Sequence, residues 1–284
     1  MHLRICLSAF TILLSISPLL SQNRGTTFSE AQRTKMAQIS LLYVHAPGFI
    51  ADNPAGEPEG ILVTLMEDFA NYVKQMHGIR IQYQYHHVAE NSFSQLLELT
   101  KTGTGGTMAL SNTTITPART ASFDFSKPFI SNIPILISHP SVPELNSLSD
   151  IGNQWAGKEL LLMRGSVQEK LLTDIATEYG GDFQHRYVTN EVDIIEQVST
   201  NPNAISSLDF MFFAGALKNK VRLKRHPVGD GEREFFGIAM PKGNDWTAVI
   251  NSFLSSGYLS STQYRKLVTE QLGSHSLSLL NDLD

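Results

Sequence analysis

A two-lobed α/β fold is what this sequence predicts, and three observations carry the prediction. Apolar runs of strand length alternate with amphipathic stretches of helix length through most of the chain. The alternation runs once from Gln38 to Leu110 and begins again from Glu159 to Leu217, without close repetition of the residues themselves. A strand and two helices then trail behind, from Glu234 to Leu272. Two such units with a returning tail suit a clamshell, in which the chain crosses from one lobe to the other near Ser131–Ile133 and returns near Phe235–Gly237. Two ordinary domains with no shared site are the alternative.

Size and composition agree with a packed body. The 284 residues exceed a minimal domain and fall short of two full ones. Hydrophobic residues make up 42% and charged residues 17%, a balance that supports a core and excludes a disordered chain. The net charge of -5, without a basic stripe, excludes a nucleic-acid groove. Lys218 to Arg225 alternates charged and apolar residues and reads as a strand with one solvated face.

The first 22 residues have a short basic start, an apolar run from Ile5 to Leu20, and a small, polar end at Ser21–Gln22. They read as a signal peptide, since the run is short for a membrane span; a retained N-terminal anchor is the alternative. The single cysteine, Cys6, lies inside this segment. Cleavage after it leaves a mature chain with no disulfide, thiol nucleophile or cysteine metal site.

The elements follow in order. Asn23 to Thr34 is polar and reads as a loose leader. Gln38–Val44 is an apolar strand, and Ile61–Met76 a helix with Leu62, Leu65, Met66, Phe69 and Val73 on one face. Ile79–Tyr85 alternates as a strand, Asn91–Leu99 is a helix capped by Asn91 or Ser92, and Thr107–Leu110 is a buried strand. After a further strand at Ile133–Ile137, the second unit offers strands at Glu159–Met163, Phe183–Val188 and Ala204–Leu208. Its helices fall at Ser166–Tyr179, Glu191–Ser199 and Asp209–Leu217. The tail reads as one strand, Glu234–Met240, then helices at Trp246–Ser255 and Tyr258–Leu272 with Gly273 as C-cap.

The most informative stretch is Ser111–Phe129, SNTTITPARTASFDFSKPF. Short donors from Ser, Thr and Asn precede Arg119, whose planar fork suits a carboxylate or phosphate. Residues alone also allow a solvated loop with a surface arginine. The order of residues, however, resembles the T-I-T-x-x-R…D-F-S-x-P-(Y/F) segment of the family 3 extracellular solute-binding proteins, amino-acid receptors of bacterial ABC importers. Further stretches are similar to that family in the same order: Gly60-Ile-Leu-Val-Thr-Leu-Met-Glu-Asp-Phe-Ala, Gly157-Lys158 to Gly165-Ser166, and Phe236-Gly237-Ile238-Ala239-Met240-Pro241-Lys242-Gly243. The resemblance covers about residues 38–273.

It implies a type II periplasmic-binding fold, α/β, each lobe a mostly parallel sheet flanked by helices. The implied division puts 36–131 and 236–284 in lobe 1 and 132–235 in lobe 2. Arg119 would hold a ligand carboxylate, with Thr114 adding an N–H and a hydroxyl, and Ser111 and Asn112 on the same rim. Gly165, Ser166 and Val167 would offer helix N-terminal N–H groups, and Phe49 and Phe93 aromatic walls, ordinary core packing being the alternative for both rings. The family's ammonium-binding Asp aligns with Leu208, one residue before Asp209. Either the strand end shifts by one and Asp209 reaches the cleft, or the ammonium contact is missing. The implied partners are a small carboxylate-bearing ligand and an ABC permease; the protein is expected to be periplasmic, monomeric and without a cofactor.

Catalytic and metal readings are weaker. There is no nucleophile elbow, phosphate loop or His-Glu metal motif. His86 and His87 are strand neighbours that point to opposite faces, so no metal site is expected from them. Some relatives on this fold are cyclohexadienyl dehydratases; here Asp209 or Glu90 would have to act as acid or base. A sensor reporting to a receptor is the remaining alternative.

Overall fold

The computed structural model describes residues 23–180, 182–281 and 283. The expected leader, residues 1–22 with Cys6, lies outside the described residues. The first part of the chain contains α1 (Phe28–Thr34), β1 (Met36–Tyr43), the hairpin β2 (Ala51–Asp52) and β3 (Pro58–Glu59), α2 (Ile61–His77), β4 (Arg80–His87), α3 (Phe93–Lys101), β5 (Thr107–Leu110), α4 (Pro117–Thr120) and β6 (Phe123–Phe125). Next come β7 (Ile130–Asn132), β8 (Pro134–Ser138), α5 (Ile151–Gln154), β9 (Glu159–Met163), α6 (Val167–Tyr179), β10 (Gln184–Val188), α7 (Glu191–Thr200), β11 (Ala204–Asp209), α8 (Phe210–Lys218) and β12 (Lys224–Arg225). The last part holds β13 (Glu234–Phe236), β14 (Ala239–Pro241), α9 (Thr247–Phe253) and α10 (Thr262–Leu272).

These strands make two five-stranded sheets, ordered β4-β1-β5-β14-β6 and β10-β9-β11-β8-β12. In the first, β1 pairs in parallel with β4 and β5, and β14 closes on β5 and β6 antiparallel. In the second, β9 pairs in parallel with β10 and β11, and β8 runs antiparallel to β11. The central strands are buried on both faces, which is why β5, β8 and β9 read as unbroken apolar runs. Between the two sheets, β7 and β13 form a separate antiparallel ribbon, Ile130 opposite Phe236 and Asn132 opposite Glu234.

Helix α2 illustrates how sequence sets an element. Ile61, Leu62, Leu65, Met66, Phe69 and Val73 recur at helical spacing and are fully buried. Gly60 opens it at φ +126°, where a Cβ would stand 2.6 Å from the Phe49 carbonyl oxygen. Gly78 closes it in the left-handed region, its N–H donating to the Lys74 carbonyl.

The structure departs from four readings. Residues 23–34 are not a loose leader: Thr27 caps α1 by accepting from the Glu30 amide at 3.1 Å, and Asp245 accepts from the Phe28 and Ser29 amides. Glu234–Met240 is two strands, because the Gly237 amide leaves the ladder to donate to the Thr113 carbonyl at 3.0 Å. Of Lys218–Arg225, strand geometry is confined to Lys224–Arg225, since α8 runs on to Lys218. In addition, the last helix starts at Thr262 rather than Tyr258: Gly257 turns at φ +87° and Ser261 caps the new helix.

Candidate ligand-binding site

Strand β11 ends on Asp209, and α8 begins at the next residue. Asp209 is 2% exposed, so its carboxylate needs donors, and side-chain amides supply them. Asn112 Nδ2 donates to Oδ2 at 2.6 Å and Asn132 Nδ2 to Oδ1 at 2.7 Å; Gln168 Nε2, from the first turn of α6, also donates to Oδ1. Two more carboxylates join the network. Asn112 Nδ2 donates to Glu191 Oε1 at 2.9 Å, and Glu234 Oε2 accepts from Asn132 at 3.3 Å and from the Thr114 hydroxyl at 3.2 Å. The Ser111 hydroxyl donates to Asn112 Oδ1 at 3.0 Å, which aims both amide hydrogens of Asn112 at carboxylates.

Arg119 is the cation of this constellation. It sits in the short helix α4, whose cap Thr116 accepts the Arg119 amide at 3.2 Å. Nη1 donates to the Thr114 carbonyl and Nη2 to the Gly165 carbonyl, both at 2.8 Å. The guanidinium lies over the Phe93 ring, 5.3 Å from its centroid. The second of these bonds ties a residue before the β7–β13 ribbon to the loop between β9 and α6.

Burial dominates the electrostatics. It pulls the Arg119 pKa down to about 10, against the opposite pull of Glu234 and Asp209, and leaves the guanidinium cationic at neutral pH. Burial pushes the Asp209 carboxyl well above the usual range, the neighbouring Glu191 adds to this, and the Asn112 bond opposes it. Burial also raises Glu191, against its Asn112 bond, and Glu234, against bonds from Asn132 and Thr114 and the charge of Arg119. Cavities flank the constellation. One of about 210 Å³ lies beside Phe93, between Ser92 and Ser94 on one side and Arg164, Tyr187 and Thr189 on the other. One of about 370 Å³ lies beside Thr114 and Glu234, against Pro134 and Leu171.

Of the residues singled out in the sequence, Ser111, Asn112, Thr114, Arg119 and Asp209 fall into one network, with Phe93 under the guanidinium. At the end of β11, the strand runs one residue further than the alignment suggests: Leu208 is 1% exposed in the core, and Asp209 takes the polar contacts. The Gly165 carbonyl joins the network, but its amide already donates to Glu169 Oε2 at 2.7 Å. Ser166 caps α6 by accepting the Glu169 amide at 3.0 Å, and Val167 is the first residue of the helix. Phe49 is 0% exposed, and its ring packs on Phe129, Phe212 and Phe236, a core position. Glu90 is exposed in a turn at φ +56° and makes no contact with the network. The sequence reading missed Glu191, Glu234, Asn132 and Gln168. One local signal existed, a glutamate directly before the Phe235-Phe236-Gly237 run.

Known proteins bear on this geometry. The profile of the bacterial extracellular solute-binding proteins, family 3, matches residues 42–270. No curated protein matches the chain by sequence. Among solved structures, the fold is similar to the ancestral amino acid-binding protein AncCDT-1, a precursor of cyclohexadienyl dehydratase: TM-score 0.68, 17% identity, 86% of this chain and 98% of that one. It is similar to the arginine-, lysine-, histidine-binding protein ArtJ of Geobacillus stearothermophilus: TM-score 0.66, 16% identity, 84% and 96% covered. It is also similar to the GluR0 ligand-binding core of Nostoc punctiforme, solved with L-glutamate: TM-score 0.63, 17% identity, 82% and 98% covered. At such identities the likeness is one of fold, the two-lobed type II architecture. No helix among the described residues is long and apolar enough to cross a membrane. With the profile matching most of its length, the chain belongs to family 3 of the bacterial extracellular solute-binding proteins.

Proposed function

We propose that this protein captures an amino acid, or a close analogue bearing a carboxylate, between two lobes and presents it to an ABC importer. In this reading the leader 1–22 directs export to the periplasm, where the chain works as a monomer. Residues 36–131 and 236–284 form lobe 1, residues 132–235 form lobe 2, and β7 and β13 are the hinge. Ligand contacts to both lobes favour closure by their differential free energy.

One observation carries the reading: a half-buried arginine and a buried aspartate belong to one network drawn from both sides of the β7–β13 ribbon. The carboxylate of the ligand takes the fork of Arg119, displacing the Gly165 carbonyl from Nη2, and Phe93 supports the guanidinium from below. The ammonium goes to Asp209, whose amide donors hold its oxygens in place. Glu191 and Glu234 bring the count of carboxylates above that of guanidinium groups, which favours a ligand with a cationic side chain.

Calorimetric titration of residues 23–284 with arginine, lysine, glutamate and the matching keto acids tests this. Cationic amino acids are expected to bind, and Arg119→Ala to weaken them by several kcal/mol, most of it the cost of a desolvated, unpaired carboxylate. Unchanged affinity in Arg119→Ala sinks the mechanism. Preference for keto acids over amino acids would remove Asp209 from its role.

Carboxyls whose pKa values burial raises, beside an arginine, also favour a second reading, a dehydratase acting on a cyclohexadienyl carboxylate. Growth of aromatic absorbance on incubation with such a substrate separates the two. A protein that binds ligand but docks on a receptor rather than a permease would be a sensor.

A further inference from the structure

A second polar cluster lies at the carboxyl ends of β1 and β4, among residues that the ligand site does not use. His45 follows β1, His87 ends β4, and Asp52 ends β2 of the first hairpin. One imidazole nitrogen of each histidine and one Asp52 oxygen lie within 4.8 Å of one another. His45 Nε2 and Asp52 Oδ2 are 3.1 Å apart. The two imidazole rings are parallel to within 4°, with centroids 4.1 Å apart. Bonds of about 2.0–2.2 Å from one tetrahedral zinc ion place its donors about 3.4 Å from each other, and because the stacked rings aim their in-plane lone pairs in parallel, one imidazole must turn about its side-chain torsions to bring this trio onto one ion.

The surroundings hold each donor in place. The Tyr43 hydroxyl donates to the other Asp52 oxygen at 2.6 Å, and its ring stacks on His87 at 5.3 Å. Asn91 Oδ1 lies 3.2 Å from His87 Nε2 and also accepts the His45 backbone amide. With Nε2 of His87 bonded to Asn91, Nδ1 is the nitrogen left for a cation. Ligating imidazoles characteristically have their other nitrogen fixed in this way.

We propose that His45, Asp52 and His87 form a binding site for a divalent transition-metal ion of the zinc class. Two imidazoles and one carboxylate suit zinc, nickel or copper and disfavour magnesium and calcium, which prefer oxygen donors throughout. His45 and Asp52 are half-buried and His87 is exposed, so the fourth position of the ion opens to solvent. The site crosses three segments and therefore ties the hairpin 51–59 to the sheet. Its outer residue Asn91 is followed at once by Ser92, which caps α3, and by Phe93 beneath Arg119.

The test uses residues 23–284 titrated with zinc chloride, with magnesium chloride as the control, and read by calorimetry and by thermal midpoint. One zinc per chain is expected, with a midpoint rise that magnesium does not reproduce. His87→Ala is exposed enough to leave the fold intact, and it should weaken zinc at least tenfold; Asp52→Asn should do so as well. Cobalt loaded in place of zinc should give visible absorption bands in the wild-type protein that His87→Ala loses. Failure of the wild-type protein to bind zinc or cobalt overturns the site. So does binding of equal affinity and stoichiometry in His45→Ala/His87→Ala, since the ion would then sit on other histidines.

Discussion

At the scale of single residues, His226 is built to stay neutral. It is 0% exposed beneath Trp155, with ring centroids 4.9 Å apart. Its Nδ1 accepts the Leu145 amide at 3.2 Å, and Nε2 lies 2.7 Å from the Ser138 hydroxyl, which in turn donates to the His139 carbonyl. Both neighbours thus select the tautomer protonated at Nε2. Burial, with a smaller contribution from Lys224, depresses its pKa to about 4. The unfolded chain takes up its proton near the ordinary histidine value of about 6.5, so stability is lost as pH falls from there towards about 4. Urea unfolding across that window should show wild type losing its advantage over His226→Gln; a constant gap would refute the assignment. Arg119 of the candidate site was legible through the order of residues around it, which resembles the family's segment, since the residues alone also allow a solvated surface arginine. Asp209 was legible to within one residue, because neighbouring strand positions point to opposite faces and Leu208–Asp209 admits either register. Glu191 and Glu234 were not legible at all. Their meaning lies in Asn112, 79 positions from Glu191, and Asn132, 102 positions from Glu234, and no local pattern encodes such pairs.

At the scale of elements, periodicity placed most strands and helices, and the failures lie where one residue overrules a pattern. Thr27 and Glu30 have the spacing of a helix start in a segment too polar to suggest one, and the Asp245 carboxylate that anchors the amides of α1 is 216 residues from Ser29. Gly237 splits an apparently continuous strand because its amide bonds Thr113 and a Cβ there would stand 2.8 Å from the Ile115 side chain. Gly60 makes the argument testable. Its φ of +126° and ψ of -175° fall in a region that is essentially restricted to glycine, and the Phe49 carbonyl blocks a Cβ. Gly60→Ala should therefore destabilise the protein by about 1–3 kcal/mol or more, read by denaturant unfolding. Gly56 at φ +79° has open space around it, so Gly56→Ala should cost less. Equal effects at the two positions would show that contact with Phe49 is not what fixes the start of α2.

At the scale of the whole molecule, the candidate site opposes the stability of the fold that holds it. Glu191, Asp209 and Glu234 are drawn together from α7, β11 and β13, and burial raises the pKa of each. A carboxyl with a raised folded pKa stabilises fully below its unfolded value, and the contribution is lost as pH rises through the folded pKa. These groups therefore favour the fold in mild acid and oppose it towards neutral pH, the reverse of His226. Glu191→Gln isolates the effect, since glutamine keeps an oxygen to accept from Asn112 while removing the charge beside Asp209. The variant should melt above wild type at neutral pH, by roughly 2–4 °C for each kcal/mol relieved, and the gap should close towards pH 4. The same substitution should weaken a cationic ligand, whose positive charge offsets the repulsion in the wild-type site. Binding of such a ligand favours the ionised carboxylates, so it should release protons, and affinity should fall as pH drops through the raised values. Calorimetry in buffers of differing ionisation enthalpy measures that release directly. Proton uptake, or none, would mean that the carboxylates do not face the ligand, whatever the outcome of the melting experiment.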